Sequence, residues 1–430
     1  MNIAANNPNR KSWIQIDHQS DFPIQNIPFG VFITKEDIVT IGTRIGEFAI
    51  DLAALHQLGY FDGIPLHEDI FMQDSLNDFI ADGRKTWRFV RNRIADVFGS
   101  ENTSLKNNET HKNIIMFDVN EVEMLLPIDI GDYSGFYASQ EHAKNIGEMF
   151  SGTNNILLAN DLHYPVGYAG RSSSIIISGT PVRRPHGQSF SLGQSQPSFG
   201  PSKQVDLGLE TAFVTTAANH LGEPIPIDEA EEYVFGMVLF NDWSARDVQQ
   251  RESMPLGAFL SKNFASTISP WIITMDALEP YKCELPQQNN ALFPYLRSTK
   301  NNYGYDIKLE AYLETKEGDL NLLSETNFKN LNWTISQQLA QHTINGCNLR
   351  AGDLVGSGII SGAEKGSYGS MLELTWNGKE PLQLKDGSSR TFLEDGDTII
   401  LRGHCTNNRI RIGFGKCTGE ILAPASLKHS

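Results

Sequence analysis

His142 lies in IGDYSGFYASQEHAKNIGEMF, residues 130–150, among tyrosines, glycines and small polar groups. An imidazole changes protonation near neutral pH, which suits it to take a proton from water or from an acidic C–H. The same histidine in a helix can also be a plain core residue. A second group lies on FGMVLFNDWSARDVQQ (235–250), where Asp242, Arg246 and Gln249 stand at i, i+4 and i+7. On a helix those three share a face. An acid, a guanidinium and an amide at the end of an apolar strand can build a polar site. The alternative is an ordinary Asp–Arg surface pair worth about 0.2–0.5 kcal/mol. In DLGLETAFV (206–214), Glu210 is the lone acid on its strand face and by itself reads as exposed. In SMLELTW (370–376) period two sets Met371, Glu373 and Thr375 opposite Leu372, Leu374 and Trp376. Lys262, between apolar residues in FLSKNFASTISPW, is a candidate for partial burial, which calls for an acid partner.

The elements that must carry these residues fall into two parts. Residues 1–115 open with the turn-rich DFPIQNIPFGVF (21–32), continue with strand-like IVTIGTRIGEFAIDL (38–52), and end in a helix over 76–99. There Trp87, Val90, Ile94 and Val97 recur at helical spacing, and Gly99 stands where a C-terminal cap belongs. The polar stretch 100–113 reads as a linker. Residues 116–430 are mostly strand, with SIIISG, DIKLEAYLET, SMLELTW, DTIILRG and RIRIGFG bounded by turn residues. Helices are expected over 137–150 and after NDWSARDVQQRE. Few βαβ alternations occur, so a large mixed sheet, rolled or sandwiched, is expected in place of a parallel one. RPHGQSFSLGQSQPSFGPSKQ (184–204) reads as a long mobile loop, either a lid or a surface insertion.

The whole chain narrows the choice. Its 430 residues exceed one ordinary core. A net charge of −16 argues against nucleic-acid partners, and the longest apolar runs are too short to span a membrane. Cys283, Cys347, Cys405 and Cys417 form no CxxC pair, which fits buried thiols in a reducing cytoplasm. Phosphate-loop, HExxH, GxSxG and GxGxxG motifs are absent.

The blocks DFPIQNIPFGVF, LHYPVGYAGRSSSIIISGTPVRRPHGQ, LGEPIPI, FGMVLFNDWSARDVQ, QHTINGCNLRAGDLVGSGIISG, GSMLELTW and RIGFG resemble the fumarylacetoacetase family from about residue 21 to 420. The resemblance implies a mainly β (α+β) fold, with a small N-terminal SH3-like barrel followed by a large mixed β-roll, in a homodimer. It implies cleavage of a carbon–carbon bond in a small β-diketone, with a divalent cation (calcium or magnesium) on the dicarbonyl and a histidine held by a glutamate as base for water. Residue by residue, it assigns base and partner to His142 and Glu373. It gives substrate contacts to Tyr137 and Tyr168, and further polar catalytic groups to Arg246, Gln249 and Lys262.

The chain departs from that pattern at the metal. Of four liganding carboxylates the resemblance implies, Glu210 and Asp242 remain; the others fall at Gly135, where the family's DYTDFY is DYSGFY, and at Gly208, where ELE is GLE. Two missing acids remove charge and donor atoms, so no tightly bound cofactor is expected, at most a weakly held Mg²⁺ or Ca²⁺. The substrate's arginine falls at Ser151, a tyrosine at Ser253 and a threonine at Ile359; Ala265 and Ser266 follow the lysine in place of Gly and Thr. These changes suggest a larger, greasier pocket with room for substrate at Gly135 and Gly208. On that ground the expectation is an enzyme turned to carbon–carbon bond formation or cyclisation of a β-dicarbonyl, enone or keto acid in natural-product metabolism. The alternatives are a genuine fumarylacetoacetate hydrolase of tyrosine degradation and a non-catalytic binding protein.

Overall fold

The computed structural model describes residues 3–151, 163–190, 196–216, 219–253, 255–288, 291–407 and 410–427. The N-terminal part is a five-stranded antiparallel sheet in the order Met116–Asp118, Phe48–Asp51, Val39–Ile45, Phe29–Ile33, Glu123–Leu125. The run 38–52 is two strands because Gly46 turns the chain at φ +58°. Asp51 then stops the second strand by capping the helix Leu52–Gln57, its carboxylate accepting from the Ala54 N–H. The last two strands of this sheet follow residue 115. A domain division after Leu125 therefore suits these pairings better than the one expected after residue 115.

Three local expectations change. The helix over 76–99 is two, Asn77–Ala81 and Arg84–Val97, because Gly83 at φ +84° breaks the first. Gly99 does not take a left-handed conformation; the helix closes through the Phe98 N–H on Ile94. The polar stretch 100–113 contains the start of a helix, Glu109–Ile115, capped by Asn108.

The C-terminal part is built on a mixed sheet, ordered Gly167–Ala169, Tyr133–Phe136, Leu354–Gly356, Leu209–Thr215, Val234–Asn241, Ser266–Ile268, Ile175–Ile177, with Ile273–Thr274 also paired to Val234–Asn241. Tyr133–Phe136 runs parallel to Leu354–Gly356, and Ser266–Ile268 parallel to Ile175–Ile177. A second sheet runs Leu320–Asn327, Lys308–Glu314, Thr398–Thr406, Arg411–Leu422, Val182–Arg183. Every residue of Leu209–Thr215 and Val234–Asn241 is buried, because both faces of these central strands are covered. The alternation read in 206–214 thus separates two buried faces. The segment 184–204 is ordered among its described residues as a hairpin, His186–Ser189 against Ser198–Pro201, and residues 191–195 lie outside the description. Gly187 lets this hairpin lie on the Arg246–Glu252 helix: a Cβ there would come 2.5 Å from Val248.

The two parts share one core. Phe29 exchanges main-chain hydrogen bonds with Ile272 and packs its ring 5.8 Å from Phe235. Beside this seam the buried Asp276 accepts from Arg88 Nε at 2.6 Å and Arg84 Nε at 3.3 Å. Burial alone raises the Asp276 pKa, but the two arginines outweigh it and hold the carboxylate below its ordinary range. Removing one partner of a buried pair leaves the other charge uncompensated. Asp276→Ala should therefore destabilise the chain by about 3 kcal/mol in urea unfolding. A change under about 0.5 kcal/mol, as at an ordinary surface site, would show that the clamp does not hold the parts together.

Candidate active site

Neighbouring strands bring two acids to one end of the mixed sheet. Leu209 pairs with Asn241, so Glu210 and Asp242 emerge side by side, and the Asp242 N–H donates to Gly208 O at 3.2 Å. Each is 2% exposed. Glu210 Oε2 accepts from the Gly358 N–H at 3.0 Å. Gly358 has φ +81°, and a Cβ there would sit 2.2 Å from Phe136 O, so only glycine allows this approach. Asp242 is surrounded by donors: Lys262 Nζ at 2.7 Å and the Tyr168 hydroxyl at 2.8 Å on Oδ2, and the Ser266 hydroxyl at 3.1 Å on Oδ1. Burial, then the Asp242 charge, push Glu210 well above the usual carboxylate range; Lys262, the Gly358 N–H and Arg246 oppose them. Burial and Asp242 likewise hold the Tyr133 and Tyr168 phenols well above their ordinary pKa, so both remain donors. Tyr133, Ser266 and Gly358 had no signal in pattern or spacing.

The second cluster is a histidine–carboxylate pair. His142 sits on the helix Gln140–Ser151, and its Nδ1 is 2.8 Å from Glu373 Oε2. The N–H direction falls off the ideal line, but at this separation nothing intervenes and the carboxylate is the partner of Nδ1. Glu373 is fully buried and accepts from Asn145 Nδ2 at 2.9 Å, from the Ser361 hydroxyl at 3.0 Å and from the Ser370 hydroxyl at 2.7 Å. Asn145 follows His142 by one helical turn, so both reach the same acid. Burial raises the Glu373 pKa; the charge of His142 and the hydrogen bonds from His142, Asn145 and Ser370 outweigh it and bring it to about 2. The Tyr137 ring stands edge-on to the imidazole, with centroids 4.9 Å apart. Among the described residues no side chain or main-chain group hydrogen-bonds Nε2, which leaves that nitrogen for a water or substrate. The strand expected over 370–376 is a short helix, Met371–Leu374, because Ser370 caps it through the Glu373 N–H at 3.3 Å.

Arg246 ties the clusters together. The helix runs Arg246–Glu252, so Asp242 lies before it and the expected i, i+4, i+7 face does not form. Arg246 Nε donates instead to Asp206 Oδ2 at 2.8 Å, and Nη1 to Gln249 Oε1 at 3.1 Å. Asp206, fully buried, also accepts the main-chain N–H groups of Met371 at 2.7 Å and Leu372 at 3.1 Å. One carboxylate thus fixes both the arginine and the helix that carries Glu373. Arg246 Nη2 is buried and has no hydrogen-bond partner among the described residues, a costly state that an anionic substrate oxygen would relieve. Asp206, Asn145, Ser361 and Ser370 were missed by the sequence reading; Asp206 stood inside the quoted strand, but nothing in its spacing distinguished it.

The remaining positions divide. Ile359 is buried, its Cγ2 2.7 Å from where a Gly369 Cβ would be. Ser253 is exposed and donates its hydroxyl to Gln249 O at 2.6 Å, closing the helix. Ser151 ends the His142 helix, and its side chain lies outside the described residues. The room expected at Gly135 and Gly208 is not there. A Cβ at Gly135 would lie 2.4 Å from Tyr168 Cε1, and one at Gly208 would lie 2.7 Å from the Asp242 main-chain oxygen.

These residues do not fit the tightly held divalent ion that the family resemblance implies. No group of three or more His, Cys, Asp and Glu side chains comes together as a cage among the described residues. The two acids present face hydrogen atoms from Lys262, Tyr168, Ser266 and Gly358, where an ion needs free lone pairs.

The mixed roll, the His142–Glu373 pair and the buried acids define a fumarylacetoacetate hydrolase type of fold and site. A model of the fumarylacetoacetate (FAA) hydrolase C-terminal domain matches residues 133–421, and one of the fumarylacetoacetase N-terminal domain matches 25–127. The chain belongs to this family and is an enzyme of it. Fumarylacetoacetase of Arabidopsis thaliana is 47% identical over 415 residues, covering 96% of this chain and 98% of that protein. Those of Caenorhabditis elegans and Homo sapiens are 47% and 44% identical, covering 97% of this chain and 100% and 99% of theirs. A solved fumarylacetoacetate hydrolase from Exiguobacterium antarcticum shares the fold, with a TM-score of 0.52 and 17% identity over 92% of this chain and 99% of that one.

These relatives overturn the expectation of bond formation, cyclisation and natural-product metabolism. Full-length likeness of this degree to proteins named fumarylacetoacetase supports hydrolysis. The pocket argument behind that expectation also fails at Gly135 and Gly208, which are filled by a tyrosine ring and by main chain. No described helix is long and apolar enough to cross a membrane.

Glu373 gives a pH test. Its folded pKa of about 2 lies below the ordinary 4.5, so its stabilisation is complete above pH 4.5 and is lost as pH falls towards 2. The shift corresponds to on the order of 3 kcal/mol. The stability gap between the native chain and Glu373→Gln, from urea unfolding, should shrink as pH falls from 4.5 towards 2. A gap unchanged down to pH 3 would refute the paired carboxylate.

Proposed function

We propose that this chain hydrolyses a carbon–carbon bond between the carbonyls of a β-diketone acid, with fumarylacetoacetate, the compound named for its relatives, as substrate. The observation that carries this reading is the buried His142–Glu373 pair, whose Nε2 has no hydrogen-bond partner among the described residues. Glu373 orients the ring and balances the charge that develops on it. Nε2 takes a proton from water, and the hydroxide attacks the nearer carbonyl carbon. The carbon–carbon bond then breaks, its electron pair passing to the neighbouring carbonyl as an enolate. Donors held in place stabilise that oxygen: Nη2 of Arg246 and the remaining N–H of Lys262, with Gln249 steadying Arg246. The imidazolium returns its proton to the enolate carbon, leaving one carboxylic acid and one ketone. Tyr137, Tyr168, Ile359, Ser151 and Ser253 stand where the family resemblance implies substrate contacts.

The reading includes a centre without a tightly bound ion, with Glu210 and Asp242 as the positions where a weak Mg²⁺ or Ca²⁺ would sit. It also includes a homodimer in the cytoplasm, a compartment supported by four free thiols. His142→Ala should lower kcat for fumarylacetoacetate by roughly 10²–10⁴-fold while the protein still folds. Turnover within about threefold of the native enzyme would remove His142 from the base role and with it this mechanism.

A further inference from the structure

Two buried acids side by side repel each other, and a positive charge beside them, or a proton on one of them, relieves the repulsion. In a four-carboxylate cage a divalent ion supplies the charge. Here the charge on the acids is an ammonium. Lys262 Nζ is 2.7 Å from Asp242 Oδ2 and 3.4 Å from the Asp242 main-chain oxygen, with its side chain 10% exposed. Three features of the fold hold it there and oppose a tightly bound ion. Asp242 is completed by hydroxyls, Tyr168 on Oδ2 and Ser266 on Oδ1. Glycine at 135 lets the Tyr168 ring into the space that a side chain there would need. At Gly208 the Asp242 main-chain oxygen lies where a side chain would begin. With one lysine the two acids carry a net charge of −1 at most, against −4 for four carboxylates, so the attraction for a hard dication is much weaker.

We propose that Lys262 is the resident positive charge of this centre, standing in for a divalent ion: it neutralises Asp242 and presents its remaining N–H to the oxygens of a dicarbonyl substrate. An ammonium has three donors, and among the described residues Lys262 directs two of them at Asp242, one at Oδ2 and one at the main-chain oxygen. Asp242 orients the lysine, and the lysine meets the substrate. The inference deepens the hydrolase reading and rests on it only for the substrate's identity.

The test is binding of calcium and magnesium alone, by calorimetry and by thermal shift, to the chelator-treated native chain, Lys262→Gln and Lys262→Met. The native chain should show no binding tighter than about 10⁻³ M, the weak end of protein calcium sites, and no rise in Tm. Glutamine keeps a donor for Asp242 but removes the charge, so Lys262→Gln should gain calcium affinity of at least about tenfold and a calcium-dependent rise in Tm. Lys262→Met should behave the same way if it folds. Stoichiometric, tight binding by the native chain would overturn the proposal. So would a Lys262→Gln variant that folds but binds calcium no better than the native chain. Turnover lost on chelation and restored by calcium would also refute it. Absence of turnover on fumarylacetoacetate would count against the hydrolase reading alone, because the binding results stand without it.

Discussion

The Asp206 carboxylate, with no exposure to solvent, is the contact on which the arrangement of the site depends. An isolated carboxylate at that depth is prohibitively costly, so its oxygens must be satisfied by fixed donors. Arg246 and the amides of Met371 and Leu372 supply them. The arginine belongs to the helix that follows one central strand, and the amides open the helix that bears Glu373. A single charge therefore sets the distance between the proton-accepting side of the pocket and its cationic side.

Both carboxylates that matter most are held in position by rigid elements. Glu373 is reached from its own cap, Ser370, from the His142 helix through Asn145, and from the 357–361 segment through Ser361. That segment hydrogen-bonds the Glu210 strand through Ser357 and Ile360. The base, the acids and the arginine are consequently parts of one sheet end, with few independent motions between them. Such preorganisation is what lets donors act on a developing enolate without first rearranging.

Much of this was legible in the sequence because chemistry and fold leave different traces. The apolar run through Val234–Asn241 marked a buried strand, and the quoted blocks marked the family. Positions such as His142, Glu373 and Lys262 followed from them. What the pattern could not carry was long-range. Glu373 sits in a run that alternates like a strand, and only the Ser370 cap turns it into a helix. Asp242 and Arg246 have the spacing of a helical pair, yet each finds its partner elsewhere, on Lys262 and Asp206, which lie 20 and 40 residues away in sequence. The absence of side chains at Gly135 and Gly208 suggested empty volume. A glycine says nothing about which neighbour moves in.

The Tyr168 ring over Gly135 makes those two positions interdependent. A carboxylate introduced at 135 alone would meet an aromatic edge, so the ring would first have to swing away and give up its bond to Asp242. The effect of an acid at 135 therefore depends on where the Tyr168 ring can go, and Asp242 feels that movement through the hydroxyl it accepts from.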